Sequence, residues 1–400
     1  MHPLQGLRVI DISKVLAGPL CGQSLGELGA EVIKVEPTGS GDDTRGWLPQ
    51  KAGLSATFLS VNHNKKSLAI DLKTVEGRKI VHQLVESADI VLQGFGSGTA
   101  ARLGVDYETL AALNPRLIYV EVSGYGRDGP LGESPGYDVM LQAFSGMLST
   151  MGVPGGGLAR ASLSPVDLCP GAHALSGVLA ALIERGRTGR GAYIEGSLLA
   201  TAMGLMGYLA QNYWATGKSP VPMGTGHPAL TPYQAFNASD GPLMIGVGND
   251  AQWRRFCPMA GLEEVVDDPR FATNKARVDH FDETVALVQA KIGQKPVAHW
   301  IAQCQAAGVP CSPIHTLEEA LHHPQVASRG LVQVTEHPAV KELPSVAFPV
   351  RFEGQPSQSK SAPPLLGQHT VEILAGIGYD ARAIEALCER GVVEAGARGA

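Results

Sequence analysis

The chain has 400 residues, 44% of them hydrophobic, enough apolar side chain for a large core and for two domains. Its formal net charge is -6 and it carries no long run of Lys or Arg, which argues against nucleic acid as the main partner. No apolar run of membrane-spanning length stands out and residues 1–6 do not read as a signal peptide, so the expectation is a cytoplasmic protein with no membrane partner.

Residues 7–12 read as a buried strand, 19–28 as a helix stopped by Gly29, and 31–36 as a second strand, together a βαβ unit. The loop between them, Ser13-Lys14-Val15-Leu16-Ala17-Gly18-Pro19, is not G-x-G-x-x-G, so the usual dinucleotide fingerprint is missing. The pattern continues with a strand over 67–72, a helix from the Thr74 cap to about 87, a strand over 89–93, a helix over 107–113 and a strand over 117–122. This alternation predicts an α/β fold with a doubly wound parallel sheet, whose ligands sit beyond the strand C-termini. Gln93-Gly94-Phe95-Gly96 followed by Ser97, Gly98 and Arg102 falls at such a place, and a glycine-rich turn with an arginine suits phosphate.

The glycine-rich stretch 153–157 reads as a loop, a lid or a spacer, ahead of Ser164-Pro165-Val166-Asp167. An apolar helix follows from 168, with Pro170 in its first turn and Gly186 as its stop. Asp167 has two readings: a carboxylate that caps this helix, or a nucleophile that forms an acyl intermediate. A strand over 192–196 and one long apolar helix over 197–214 come next. The Gly- and Pro-rich segment 216–232 reads as a domain crossover, followed by a strand over 243–248 and helices near 251–260, 284–292 and 296–307. Residues 344–352 are strand-like, 370–377 and 381–390 helical, and 395–400 read as a frayed end. The six cysteines are scattered without a C-x-x-C pair and read as reduced thiols; neither they nor His322-His323 predict a metal site.

Several of these stretches resemble the family III CoA-transferases, the CaiB/BaiF family. The similarity rests on Val15-Leu16-Ala17-Gly18-Pro19, the run from Leu28 to Glu36, Gly41-Asp42-Asp43-Thr44-Arg45, Asn62-His63-Asn64-Lys65-Lys66-Ser67, Ser123-Gly124-Tyr125-Gly126, Thr188-Gly189-Arg190-Gly191 and Leu365-Leu366-Gly367-Gln368-His369-Thr370, in that order. The resemblance implies a large Rossmann-like domain built from both chain ends (1–215 with 330–400), a smaller inserted α+β domain (225–325), linkers at 216–224 and 326–329, and an interlocked homodimer. It also implies that Asp167 is the nucleophile, that coenzyme A or acyl-CoA is a substrate, and that no prosthetic group or metal is needed. The family's CoA contacts map onto Val15, Ile70, Lys73, Phe95 and Arg102. Leu16, Tyr137 and His227 map onto substrate positions, with Lys14, Arg45 and Arg160 as further cations for an acidic substrate.

Departures from formyl-CoA transferase, Leu16 for a Gln and Pro37 for a basic residue, weaken an oxalate/formate assignment. Gln211-Asn212-Tyr213, His227 and Pro232-Tyr233-Gln234-Ala235-Phe236 look closest to the succinyl-CoA:glutarate type. The 2-methylacyl-CoA racemases share Pro135-Gly136-Tyr137-Asp138 but carry a catalytic His where this chain has Tyr137, and a phenol with a pKa of about 10 is a poor base at neutral pH. A CoA-binding protein without turnover is the remaining alternative.

Overall fold

A computed structural model describes residues 2–355 and 357–396. Of the tail expected to fray, 397–400 lie outside the described residues. Contacts divide the chain into two compact units, one formed by Met1–Met147, Ala161–Gln211 and Pro324–Ala400, the other by Leu148–Arg160 and Asn212–His323. The glycine-rich segment 153–157 therefore belongs to the second unit, whereas the sequence reading assigns it to the large domain.

The first unit is an α/β layer structure. Strand β1 (Arg8–Asp11) leads into helix α1 (Ala17–Glu27) and strand β2 (Glu31–Glu36). Then come β3 (Lys65–Ile70), α2 (Val75–Glu86), β4 (Ile90–Gln93), α3 (Tyr107–Leu113) and β5 (Ile118–Ser123). Helices α4 (Asp138–Phe144) and α5 (Pro165–Thr188) precede β6 (Ala192–Ser197); α6 (Thr370–Gly376), α7 (Ala381–Glu389) and the short β7 (Val393–Glu394) close the chain. Local chemistry explains the boundaries. The Thr74 hydroxyl accepts from the Gly77 N–H and starts α2, and Asp106 does the same for α3 through Thr109.

The sheet order is β7–β3–β2–β1–β4–β5–β6. All pairs are parallel except β7, which runs antiparallel to β3 with Val393 opposite Ile70. The order reverses direction between β1 and β4, the switch point at which such sheets open a crevice beyond their strand C-termini. Central strands buried on both faces require continuous apolar runs, and Val9, Ile10, Ile33, Val91, Leu92 and Ile118 are all buried.

Three predicted elements differ. Helix α5 starts at Pro165, so Asp167 lies inside its first turn, and it ends at Gly189 (φ +72). Gly186 continues the helix, and Pro170 is its sixth residue and not in its first turn, so its missing N–H removes the i→i−4 bond to Val166 O. At 24 residues α5 is long and apolar enough to cross a membrane by length and composition, a run concealed when the helix is read as 168–186. The helix expected over 197–214 is two, Leu198–Leu205 and Gly207–Thr216, with Met206 capping the first. Of the strand-like stretch 344–352 only 344–346 is strand, the end of Lys341–Val346, which pairs with Val332–His337 as a hairpin, and β7 has no counterpart in the sequence reading. Two residues are too few to show a period of two.

The second unit has a three-stranded antiparallel sheet, with Pro242–Gly246 between Tyr233–Asn237 and Cys311–Pro313. Helices Asp250–Ala260, Phe281–Ile292 and Val297–Ala307 supply Trp253, Phe256, Val288 and Trp300 to its core.

Candidate active site

Two clefts open at the switch point of the first unit. The first, of about 270 Å³, is walled by Val15 and Leu16 after β1, Phe95 after β4, Gly124 after β5, Tyr137 ahead of α4, and Asp167 from α5. The second, of about 320 Å³, is lined by Ile70, Lys73, Phe95 and Thr99. Lys14 and Phe95 border both.

The position of Asp167 follows from how α5 begins. Ser164 adopts a left-handed conformation (φ +49) and its side chain makes no cap. The open N–H of Val166 is taken instead by Asp138 Oδ2 at 2.9 Å, from the start of α4. Gln142, one turn further along α4, clasps Ala161 through both its N–H (2.9 Å) and its carbonyl (3.1 Å). Gly171 permits close approach to α1, since a Cβ there would lie 2.6 Å from Ala17 O. Because Asp138 serves as the cap, the Asp167 side chain does not: among the described residues, none hydrogen-bonds to its carboxylate. Burial raises its pKa, the nearby Asp138 charge adds to the effect, and the carboxyl is pushed up to about 6. A half-buried carboxylate in a helix first turn, free of partners and facing a cleft, suits nucleophilic chemistry.

Val15, Leu16, Phe95, Tyr137 and Asp167 thus share one cleft, and Ile70, Lys73 and Phe95 share the other. Arg102 lines neither; its guanidinium is fixed to Thr99 Oγ1 at 2.7 Å, and Thr99 does line the second. Tyr137 is 59% exposed. His227 lies in the second unit, where its Nδ1 accepts from Ala229 N–H at 3.1 Å and its ring meets Tyr233 edge-on at 5.6 Å. Arg160 also belongs to the second unit. Arg45 is withdrawn as a substrate cation: its guanidinium is held by Glu36 at 2.7 and 2.8 Å and by Pro364 O, and it packs over the Phe58 ring.

Two residues of the site escape the sequence reading. Arg127 lines the first cleft, ion-paired with Glu121 and donating to Phe95 O at 2.6 Å. Asp138 acts through Val166. Arg127 directly follows the stretch Ser123–Gly126, and Asp138 is the last residue of Pro135-Gly136-Tyr137-Asp138, a stretch the sequence singles out without giving Asp138 a role.

The sequence profile of CoA-transferase family III matches residues 4–370, and the chain belongs to that family. It is therefore an enzyme, a CoA-transferase, whose class uses CoA thioesters as substrates. It is 38% identical over 98% of its length to succinyl-CoA:glutarate CoA-transferase of Mus musculus, spanning 91% of that protein. It is 39% identical over 82% of its length to acetyl-CoA:oxalate CoA-transferase of Acetobacter aceti, spanning 85% of it. Among solved structures it resembles a CaiB/BaiF family protein from Brucella suis, with a TM-score of 0.83, 37% identity, and coverage of 94% of this chain and 99% of that one.

Proposed function

We propose that this enzyme moves CoA from succinyl-CoA to a short dicarboxylate such as glutarate, with Asp167 as the covalent carrier. The observation that carries this reading is the unbonded Asp167 carboxylate in the cleft with Val15, Leu16 and Phe95. The carboxylate attacks the thioester carbonyl, the C–S bond breaks, and CoA leaves as thiolate from a mixed anhydride. The thiolate then attacks the aspartyl carbonyl, giving an aspartyl-CoA thioester and free succinate. The acceptor carboxylate attacks that thioester, forming a second anhydride and releasing CoA thiolate. Attack of the thiolate on the acceptor's acyl carbon yields the new acyl-CoA and restores Asp167. Each step exchanges one activated acyl bond for another, so no external energy source enters.

In this reading Lys73 and Arg102 meet the CoA phosphates, Ile70 and Phe95 pack the nucleotide and pantetheine, and Val15 lines the path to Asp167. Leu16 presents carbon to the acyl chain, which suits methylenes better than oxalate. A distal carboxylate stays charged at neutral pH and needs a cation or donors. Lys14 and Arg127 are the cations of the cleft, and His227 is a candidate on the family resemblance alone. With succinyl-CoA as donor, glutarate should turn over at least about tenfold faster than valerate, since an unpaired buried polar group costs about 1–3 kcal/mol. His227→Ala should narrow that gap if His227 serves the distal end. Mass spectrometry of the acyl-CoA products measures both. Equal rates for glutarate and valerate would overturn the dicarboxylate reading, and a preference for oxalate would replace glutarate by the acceptor of the oxalate relative.

The same geometry fixes a pH dependence. Catalysis needs the Asp167 carboxylate, and burial and Asp138 hold its pKa up at about 6. Activity should therefore be low below pH 6 and rise through it. In Asp138→Asn the like charge goes while one acceptor oxygen remains for the Val166 N–H. The acid limb of kcat/KM should then move to lower pH, only in part, because burial is the larger cause. A limb unmoved in a folded Asp138→Asn enzyme would show that Asp138 acts on Asp167 by geometry alone.

A further inference from the structure

Several sequence stretches singled out above, Gly41-Asp42, Asn62 to Ser67 and the strand ending at Glu36, have no role in the reaction steps above, although Lys34, Glu36 and Asp42 also border the second cleft. They converge instead on one buried ionic cluster. Asp11, Lys34, Glu36, Asp42 and Lys65 are all within 2% of complete burial, and Arg45 pairs with Glu36, so three carboxylates meet three cations.

The cluster's donors are aimed at backbone. Lys34 Nζ donates to Ser13 O at 3.1 Å and pairs with Asp42 Oδ2 at 2.9 Å. Lys65 Nζ donates to Pro19 O at 2.7 Å, Asp11 Oδ2 at 2.8 Å and Asn62 Oδ1 at 2.9 Å, which uses all three of its protons. Asp11 Oδ1 accepts from the N–H (3.1 Å) and the hydroxyl of Ser13. Asp42 Oδ1 accepts from Val15 N–H at 3.4 Å. Thus the carbonyls at both ends of segment 13–19 are each held by a fully buried ammonium. Between them Val15 is forced to φ +68, a left-handed conformation that a β-branched side chain avoids. The segment needs restraint, and the cluster supplies it at four backbone atoms.

Stability alone does not account for such a cluster, because buried ion pairs exchanged for apolar groups of the same shape are often neutral or stabilising. An apolar side chain, however, cannot hold a carbonyl. We propose that Lys34 and Lys65 are positioning residues: by holding Ser13 O and Pro19 O they keep Val15 and Leu16 as a wall of the cleft that contains Asp167. The kinetic consequence rests on the CoA-transfer reading above; the structural one does not.

The test uses the full chain carrying Lys65→Met with Asp11→Asn, and separately Lys34→Met with Asp42→Asn, so that no lone charge is left buried. Hydrogen exchange of the apo protein should show the amides of 13–19 opening about tenfold or more faster, with β5 amides unchanged. The kcat/KM for acyl-CoA should fall about tenfold to a hundredfold, as small misplacements near reacting atoms do, with the melting temperature nearly kept. If either pair fails to fold, Gly22→Ala serves instead: its Cβ would lie 2.9 Å from Asp11 Oδ2 and 3.3 Å from Lys65 Nζ, displacing the pair without removing a charge. Folded variants with wild-type exchange over 13–19 would overturn the proposal, as would exchange that quickens equally across the sheet. Should wild-type enzyme bind CoA yet transfer none, the function reading fails, and the exchange data still decide the role of the two lysines.

Discussion

Asp167→Ala should fold as the wild type does and lose CoA transfer by a factor on the order of 10³ or more, as removal of a covalent nucleophile does elsewhere. The carboxylate makes no hydrogen bond among the described residues, and the N-terminal turn of α5 is held by Asp138 and Gln142 rather than by Asp167. Deleting it therefore removes chemistry and not a cap. Incubation with acyl-CoA followed by intact-mass measurement should detect an adduct on the wild type that hydroxylamine cleaves and that Asp167→Ala lacks. Retained turnover in the variant would remove the aspartyl intermediate from the mechanism. Asp167→Asn adds a check through stability. A carboxyl raised to about 6 in the fold, above its usual 3.8, favours the folded state while protonated, and that contribution is lost as pH rises through 6. The Asn variant should accordingly gain melting temperature over wild type at pH 8 and show no such gain at pH 4.

Lys73→Ala combined with Arg102→Ala should raise the KM for acyl-CoA about a hundredfold, with each single change near tenfold. Charge-assisted hydrogen bonds contribute about 1.5–3 kcal/mol each, and contributions from separate sites add to a first approximation. Lys73 borders the second cleft beside Ile70, and Arg102 stands one hydrogen bond behind Thr99. Neither touches the cleft of Asp167, so kcat and the acceptor's KM should move far less. An acyl-CoA KM unchanged in the double variant would mean that the second cleft does not hold the phosphates. Raising salt should weaken wild-type binding more than that of the double variant.

The alternating strands and helices of the first unit are legible because central parallel strands carry apolar runs such as Ile90-Val91-Leu92, and Glu31–Glu36, despite its buried Lys34 and Glu36, matches the sequence expectation residue for residue. The helix starts are legible where a single side chain makes the cap, as Thr74 does. The start of α5 is not, because its cap comes from Asp138, 28 residues away in sequence. Likewise Leu16, Phe95 and Tyr137 gather with Asp167 only through the strand order, which no local pattern encodes. Arg45 illustrates the converse error: an arginine in a motif reads as a ligand for substrate until Glu36 is found to bind it. The helix expected over 197–214 reads as one because its two pieces share the same apolar composition across Met206.

The pairing of β7 with β3 bears on how the protein is made. Val393 lies opposite Ile70, a residue of the second cleft, and Arg45 donates to Pro364 O from 319 positions earlier in the chain. Contacts of such sequence separation carry a large loop-closure cost and slow the search for the native state. The edge of β3 therefore stays unpaired until residues 393–394, more than 300 positions later in the chain, have been made and have left the ribosome. The sheet of the first unit is thus completed late in synthesis, and in the interval an exposed strand edge is what a chaperone would have to shield.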